Sequence, residues 1–148
     1  MLHPLQVVRF RFEKLNIDTN REYNASSDKV ITNDIKINFN VQKHKEKKEY
    51  RRIEISLLLN KSDKSFKDAP YRIDLVAGLE LAFQDDIPED EYMKHLQRSG
   101  PRLVITTLRA YLAQITSSFI WGEFILPTFN VDDLIKELFQ SEKEEKSQ

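Results

Sequence analysis

Ile35-Lys36-Ile37-Asn38-Phe39-Asn40-Val41-Gln42 changes character at every residue. Branched and aromatic side chains fall on one side and polar ones on the other, the period of a strand with one buried face. The same rhythm continues in both directions. Toward the N-terminus, Val8, Phe10 and Phe12 alternate with Arg9, Arg11 and Glu13. Toward the C-terminus, Ile53, Ile55, Leu57 and Leu59 alternate with Arg52, Glu54 and Ser56, and the run from Tyr71 to Phe83 sets Ile73, Leu75 and Leu81 against Arg72, Asp74 and Glu80. Gly78 predicts a bulge or bend in that last strand. The segments Asp18 to Lys29, Gln42 to Glu49 and Asn60 to Pro70 are polar and read as loops and turns. None supplies the crossover that parallel pairing needs, so the spacing predicts an antiparallel sheet, with its strands neighbouring in chain order as a meander.

The period changes after Phe83. Asp85-Asp86-Ile87-Pro88-Glu89-Asp90-Glu91 places acids before and in a short helix that ends near Leu96, where negative charge complements the helix N-terminus. Gly100-Pro101 then opens a longer helix, with proline at the first helical position. Along it Val104, Leu108, Tyr111, Leu112 and Ile115 recur at helical spacing, and Leu103, Ile105, Ala110 and Ala113 widen the apolar band. One sheet covers one side of such a helix, so a second copy is expected against Val104, Leu108, Tyr111, Leu112 and Ile115. Asn130, three residues before Asp133, resembles a cap for a last helix carrying Val131, Leu134, Ile135, Leu138 and Phe139 on one side. The fold class is therefore α+β: a four-stranded antiparallel meander, then a long helix, then a shorter C-terminal helix, in an oligomer. The expected organisation is one domain over residues 1–140 and a charged, frayed tail over 141–148.

Composition removes whole classes of function. In 148 residues Lys and Arg total 23 and Asp and Glu 24, so no strong field draws nucleic acid or an anionic membrane. Cysteine is absent, which excludes disulfides, thiol nucleophiles and cysteine-ligated zinc, and suits the cytoplasm. No apolar run approaches the ~20 residues of a membrane helix, and the start Met1-Leu2-His3-Pro4 lacks the order of an export signal. The three glycines form no phosphate-binding turn. His3, His44 and His95 lie far apart and read as surface residues, not as metal ligands. The acids from Asp85 to Glu91 read as solvated helix-start charges, with catalysis by paired carboxylates the weaker alternative. The expectation is a protein without catalytic residues, cofactor or metal.

One segment resists a plain core reading. Phe119-Ile120-Trp121-Gly122-Glu123-Phe124-Ile125-Leu126-Pro127-Thr128-Phe129 holds four aromatics and three branched aliphatics, while Gly122 and Pro127 argue against a continuous helix. It is either a buried connector pinning the last helix to the sheet or a partly exposed aromatic wall, since exposed apolar patches mark binding sites.

Gly100-Pro101-Arg102-Leu103, Arg109, and Phe124-Ile125-Leu126-Pro127-Thr128-Phe129-Asn130-Val131 followed by Leu134 resemble the C-terminal half of the SecB-type protein-export chaperones and their SecB-like relatives. The four strands before them agree in number and order. The resemblance implies a dimer of dimers whose long helices are sandwiched between sheets. It also implies ATP-independent binding of unfolded or precursor polypeptides in grooves lined by the first strand, the helix connector and the last helix. Carried over by position, the groove would include Phe10 and Phe12, then Trp121, Phe124 and Leu126, then Leu134 and Leu138. Export chaperones of this type are commonly acidic and dock on the SecA motor through acidic sheet and tail surfaces. This chain departs from them, with a net charge of −1 and a tail, Ser141-Glu142-Lys143-Glu144-Glu145-Lys146, of mixed sign. Two alternatives remain: a SecB-like chaperone dedicated to one client such as an antitoxin, and a non-enzymatic oligomeric adaptor whose polar sheet face meets a folded partner.

Overall fold

A computed structural model describes residues 5–26, 31, 33–43, 49–84 and 86–136. The alternating segments form strands β1 (Leu5–Thr19), β2 (Ile35–Lys43), β3 (Tyr50–Leu59) and β4 (Tyr71–Phe83) of one antiparallel sheet. Their order is β1-β4-β3-β2, which corrects the expected meander. Only β2, β3 and β4 follow one another, while β1 crosses to the far side of β4. Strand length explains the choice. β1 and β4 pair from Leu5↔Phe83 to Thr19↔Tyr71, whereas the nine residues of β2 would leave much of β1 without ladder partners. Residues 20–34 readily bridge the two intervening strands, which lie about 5 Å apart from neighbour to neighbour.

β1 is also longer and less regular than its alternation predicts. Register shifts fall between Val7 and Arg9 and between Phe12 and Lys14. An extra residue at each point puts Val7, Phe10, Phe12, Leu15 and Ile17 opposite buried residues of β4, although their spacing is uneven. Val8, expected on the face of Phe10, is the extra residue of the first shift and is exposed. β4 runs in register through Gly78, opposite Arg11 and Glu54, so the bulge expected there is absent. Its glycine serves a close crossing instead: a Cβ would lie 2.2 Å from Arg52 Nε. Across that gap Arg52 reaches Glu13 on β1, and it also donates to Glu54 Oε2 at 2.7 Å and Gln42 Oε1 at 2.9 Å.

The turn at Asn60–Pro70 contains one short helix, α1 (Asp63–Lys67), where only a polar turn was expected. The Ser62 hydroxyl caps it, accepting from the Ser65 N–H at 3.2 Å. Before it, Asn60 adopts a left-handed φ of 52°, a conformation asparagine tolerates. Its buried amide donates to Asn33 Oδ1 at 2.8 Å and to the Tyr71 carbonyl at 3.0 Å, tying the entry of β2 to that of β4.

A single helix, α2 (Glu89–Thr116), replaces the two expected around Gly100-Pro101. Proline inside a helix loses one backbone bond, and the residue before it normally avoids the helical region. Packing overrides both here. Leu96, Gly100, Pro101, Val104, Leu108 and Leu112 are all buried, and Gly100 lets β3 approach so closely that a Cβ would lie 2.2 Å from Ile53 Cδ1. Glycine also lacks the side chain whose clash with proline disfavours helix. A final helix, α3, occupies 131–136 within the described residues. Asn130 Oδ1 accepts from the Asp133 N–H at 3.4 Å, as the capping pattern anticipated. Leu138, Phe139 and the tail 141–148 lie outside the described residues.

Candidate functional site

The inner sheet face and α2 make a core in which Ile53, Ile55, Leu57, Ile73, Leu75 and Leu79 are almost wholly buried. The connector from 117 to 130 leaves the end of α2 and returns along one flank of that helix. Four side chains fasten it. The buried Thr116 hydroxyl donates to the Leu112 carbonyl at 2.6 Å and accepts from the Phe124 N–H at 2.7 Å. Tyr71 donates its phenol to the Gly122 carbonyl, beside the turn that Gly122 makes at φ 76°. Trp121 Nε1 donates to the Asn20 carbonyl at 2.7 Å. Farther on, Arg109 donates from Nε to the Leu126 carbonyl at 3.0 Å and from Nη2 to the Pro127 carbonyl at 3.2 Å. Burial of Tyr71 raises its phenol above the usual value of 10.0, with a backbone hydrogen bond at Trp121 pulling the other way, so it stays a neutral donor.

Fastened this way, the connector turns through residues 117–122 and is extended from Glu123 onward, where its side chains alternate. Phe124 and Leu126 turn inward, while Ile120 and Ile125 are 70% and 56% exposed. Trp121 is half-buried, its ring edge-on to Tyr23 at 5.2 Å. Phe129, Val131 and Leu134 then pack partly against the core. α3 is held to α2 by an exposed ion pair, Arg102 Nη2 to Asp132 Oδ1 at 2.5 Å. Beside that pair lies an open cleft of about 480 Å³ lined by Gln97, Arg98, Arg102, Asp132 and Ile135.

The structure distributes the residues named from sequence over three places. Phe10 and Phe12 lie on β1 and form a cluster with Tyr111: Phe10 stacks on it at 5.0 Å, and Phe12 meets it edge-on at 6.0 Å. Tyr111 and Arg109 are two residues apart on a helix, about 200° around its axis, so this cluster and the connector occupy opposite flanks of α2. Trp121 and Leu134 lie on the connector's side. Phe124 and Leu126, expected in the groove, are instead sealed in the subunit because every second side chain of an extended segment faces its support. Val104, Leu108 and Leu112, expected between subunits, are likewise buried against their own sheet. Tyr111 remains 42% exposed and Ile115 half-buried.

Sequence reasoning passed over Ile120, Ile125 and Val7, all exposed apolar residues. The alternation within Glu123-Phe124-Ile125-Leu126 was the available signal for Ile125. Thr116 and Asn20 carried no signal, because their partners are backbone groups distant in sequence. Asn20 Nδ2 donates to the Phe66, Lys67 and Ala69 carbonyls, at 3.0, 3.1 and 3.1 Å, so it anchors the α1 turn as well as Trp121. Among the described residues no group of three or more His, Asp or Glu side chains is placed to hold a metal ion. No described helix is long and apolar enough to cross a membrane.

No protein-family model matches this chain, and none of the curated proteins does. Solved structures do. The SecB-like chaperone Rv1957 of Mycobacterium tuberculosis, solved in complex with a ChAD peptide from the HigA1 antitoxin Rv1956, aligns with a TM-score of 0.62 over 86% of this chain and 91% of that one, at 15% identity. A protein of unknown function from Streptococcus agalactiae aligns with a TM-score of 0.41 over 84% of this chain and 97% of that one, at 13% identity. The first alignment establishes the fold as SecB-like: a four-stranded antiparallel sheet followed by a long and a short helix.

Proposed function

We propose that this chain, whose fold is SecB-like, is an ATP-independent chaperone that holds non-native polypeptides on exposed apolar side chains and performs no bond chemistry. The observation that carries the reading is the connector's two exposed isoleucines, Ile120 in its turn and Ile125 on its extended part, which stand in water on a backbone fastened by Thr116, Tyr71, Asn20 and Arg109. A rigid support presenting branched aliphatics is suited to capture, since little ordering is required of the protein itself. The polypeptide bound by the structural neighbour supports the ligand class.

Energetics favour many weak contacts. Burying one large apolar client side chain contributes about 1.5–3 kcal/mol, and ordering one backbone residue costs about 1–2 kcal/mol. A single contact roughly breaks even. Several surfaces in one assembly can raise avidity about 10²–10⁴-fold, which fits the proposed dimer of dimers. Because Val104, Leu108 and Leu112 face their own sheet, the proposed contact between subunits narrows to Tyr111, Ile115 and the half-buried Phe10 and Phe12 beside Tyr111.

The clients proposed are unfolded chains in the cytoplasm, either precursors awaiting export or one dedicated client such as an antitoxin. Docking on SecA is left out of the proposal, because acids of the outer sheet face are already engaged. Glu80 pairs with Arg9 at 2.7 Å, Asp74 with Lys14 at 2.7 Å, and Glu54 with Arg52 at 2.7 Å. The test is aggregation of a chemically denatured protein diluted into buffer without nucleotide. The full chain is expected to delay light scattering in proportion to its concentration. Unchanged scattering with the chain in severalfold excess would count against the chaperone and leave the adaptor.

A further inference from the structure

Arg98, Arg102 and Arg109 stand along one flank of α2, since their spacing places them within about 40° of one another around the helix axis. Two of them are engaged across that flank. Arg109 holds the connector by the Leu126 and Pro127 carbonyls, and Arg102 pairs with Asp132 of α3. The guanidinium of Arg98 has no acidic partner among the described residues. It lies with Gln97, Arg102, Asp132 and Ile135 around the open cleft of about 480 Å³ between α2 and α3. Lys94, one turn before Arg98, and Lys136, on the face of α3 that carries Asp132, are exposed and share its sign. Asp132, the acid among the lining residues, is already paired with Arg102.

We infer that this cleft takes an acidic side chain of a bound client, with Arg98 as its counter-charge and Ile135 against its methylenes. The inference rests on the chaperone reading and deepens it by giving the client a pattern: an aliphatic residue for Ile125 and an acid at a set distance from it. Charge selects the occupant. A carboxylate brings the sign that the cleft lacks and can be held by both prongs of a guanidinium, whereas a lysine would meet like charge. The net charge of the whole chain is −1, so such a preference arises in the cleft and not in a general field. Geometry sets the spacing. Arg109 holds the connector beside Ile125, and Arg98 and Arg102 lie eleven and seven residues before it on α2. At about 1.5 Å of helix per residue this is about 10–17 Å, or roughly three to five residues of an extended client.

The test uses the full chain and short peptides with blocked ends, each holding a pair of isoleucines and one glutamate in a background of serine and glutamine. The glutamate is moved stepwise away from the isoleucines on either side, and binding is measured by calorimetry. Net charge is the same at every step, so position alone varies. Affinity is expected to peak with glutamate roughly three to five residues from the isoleucines, and to fall about two- to fivefold at other spacings or on replacement by glutamine. Arg98→Gln should erase the difference between glutamate and glutamine, and Arg98→Glu should make the lysine peptide the better ligand. The Arg98 side chain is exposed, so both variants should unfold at the parent's urea concentration. Equal affinity at every spacing would overturn the inference while the chaperone reading stands on the isoleucine contacts. So would a glutamate preference that survives Arg98→Glu. Acetate binding as tightly as the peptide would reduce the cleft to a free-anion site, and a change in the mass of the assembly on Arg98→Glu would assign it to a second copy; either result overturns the inference. Failure of every peptide and of every denatured client to bind would remove the chaperone reading itself.

Discussion

β3 and the extended part of the connector, from 123 to 129, both turn alternate side chains inward, yet they spend the outward positions differently. On β3 the inward residues Ile53, Ile55 and Leu57 are sealed, and the outward row carries Arg52 and Glu54, joined to each other at 2.7 Å. On the connector the inward residues Phe124 and Leu126 are sealed nearly as well, but the outward positions include Ile125, and Ile120 stands exposed in the turn just before. Burial on the inner side holds the fold in both cases. The difference lies on the side that does not contribute to the fold, and it teaches where to look for function: exposed apolar side chains on a firmly held backbone are costly in solubility and are retained where something binds.

The comparison breaks most visibly if the connector's inward residues are dispensable. Leu126→Ala removes a side chain that is 1% exposed, and a Leu→Ala change of this kind costs about 2–5 kcal/mol. Urea unfolding should show a much lower midpoint with an unaltered slope. A shift no larger than that of a surface variant would mean the connector is not part of the core. A smaller effect is expected from the fastening itself. Thr116→Val keeps the shape but leaves the buried Phe124 N–H without its acceptor, a loss of about 1–3 kcal/mol. Thr116→Ser should recover most of it. Equal stability of the valine and serine variants would show that the hydroxyl does not hold the connector.

Much of this architecture is legible in the sequence. Strands with two-residue alternation, such as Ile35 to Gln42, declare their buried face because charge cannot follow the apolar side chains inward. Strand order is a different kind of information. Nothing in β1 alone states that it pairs with β4, since that choice follows from matched lengths and a connection long enough to cross two strands. Gly100-Pro101 misled for a similar reason: local preference ends a helix there, and contacts with Ile53 and the buried Leu96 and Val104 carry it through. In the candidate site, the segment was recognisable by its apolar mass, but the partition of that mass was not. Four aromatics drew attention to Trp121 and Phe124, while exposure falls on the isoleucines that flank them, Ile120 and Ile125. The hydrogen bonds that decide this partition, from Arg109, Thr116 and Tyr71, join groups separated by eight to 51 residues.

The smallest expected change in stability carries the largest expected change in function. Ile120→Ser and Ile125→Ser alter side chains that touch water more than protein, so unfolding free energy should move by no more than about 0.5 kcal/mol. Each replacement nonetheless removes an aliphatic contact from every client bound, and contacts repeated over several surfaces multiply. The double variant should therefore unfold at nearly the same urea concentration as the parent and lose most of its delay of client aggregation. Leu126→Ala makes the opposite trade, losing stability while keeping whatever holding its folded fraction retains. If instead the double variant holds client as well as the parent does, the two exposed isoleucines are ordinary surface, and the contrast with β3 says nothing about binding.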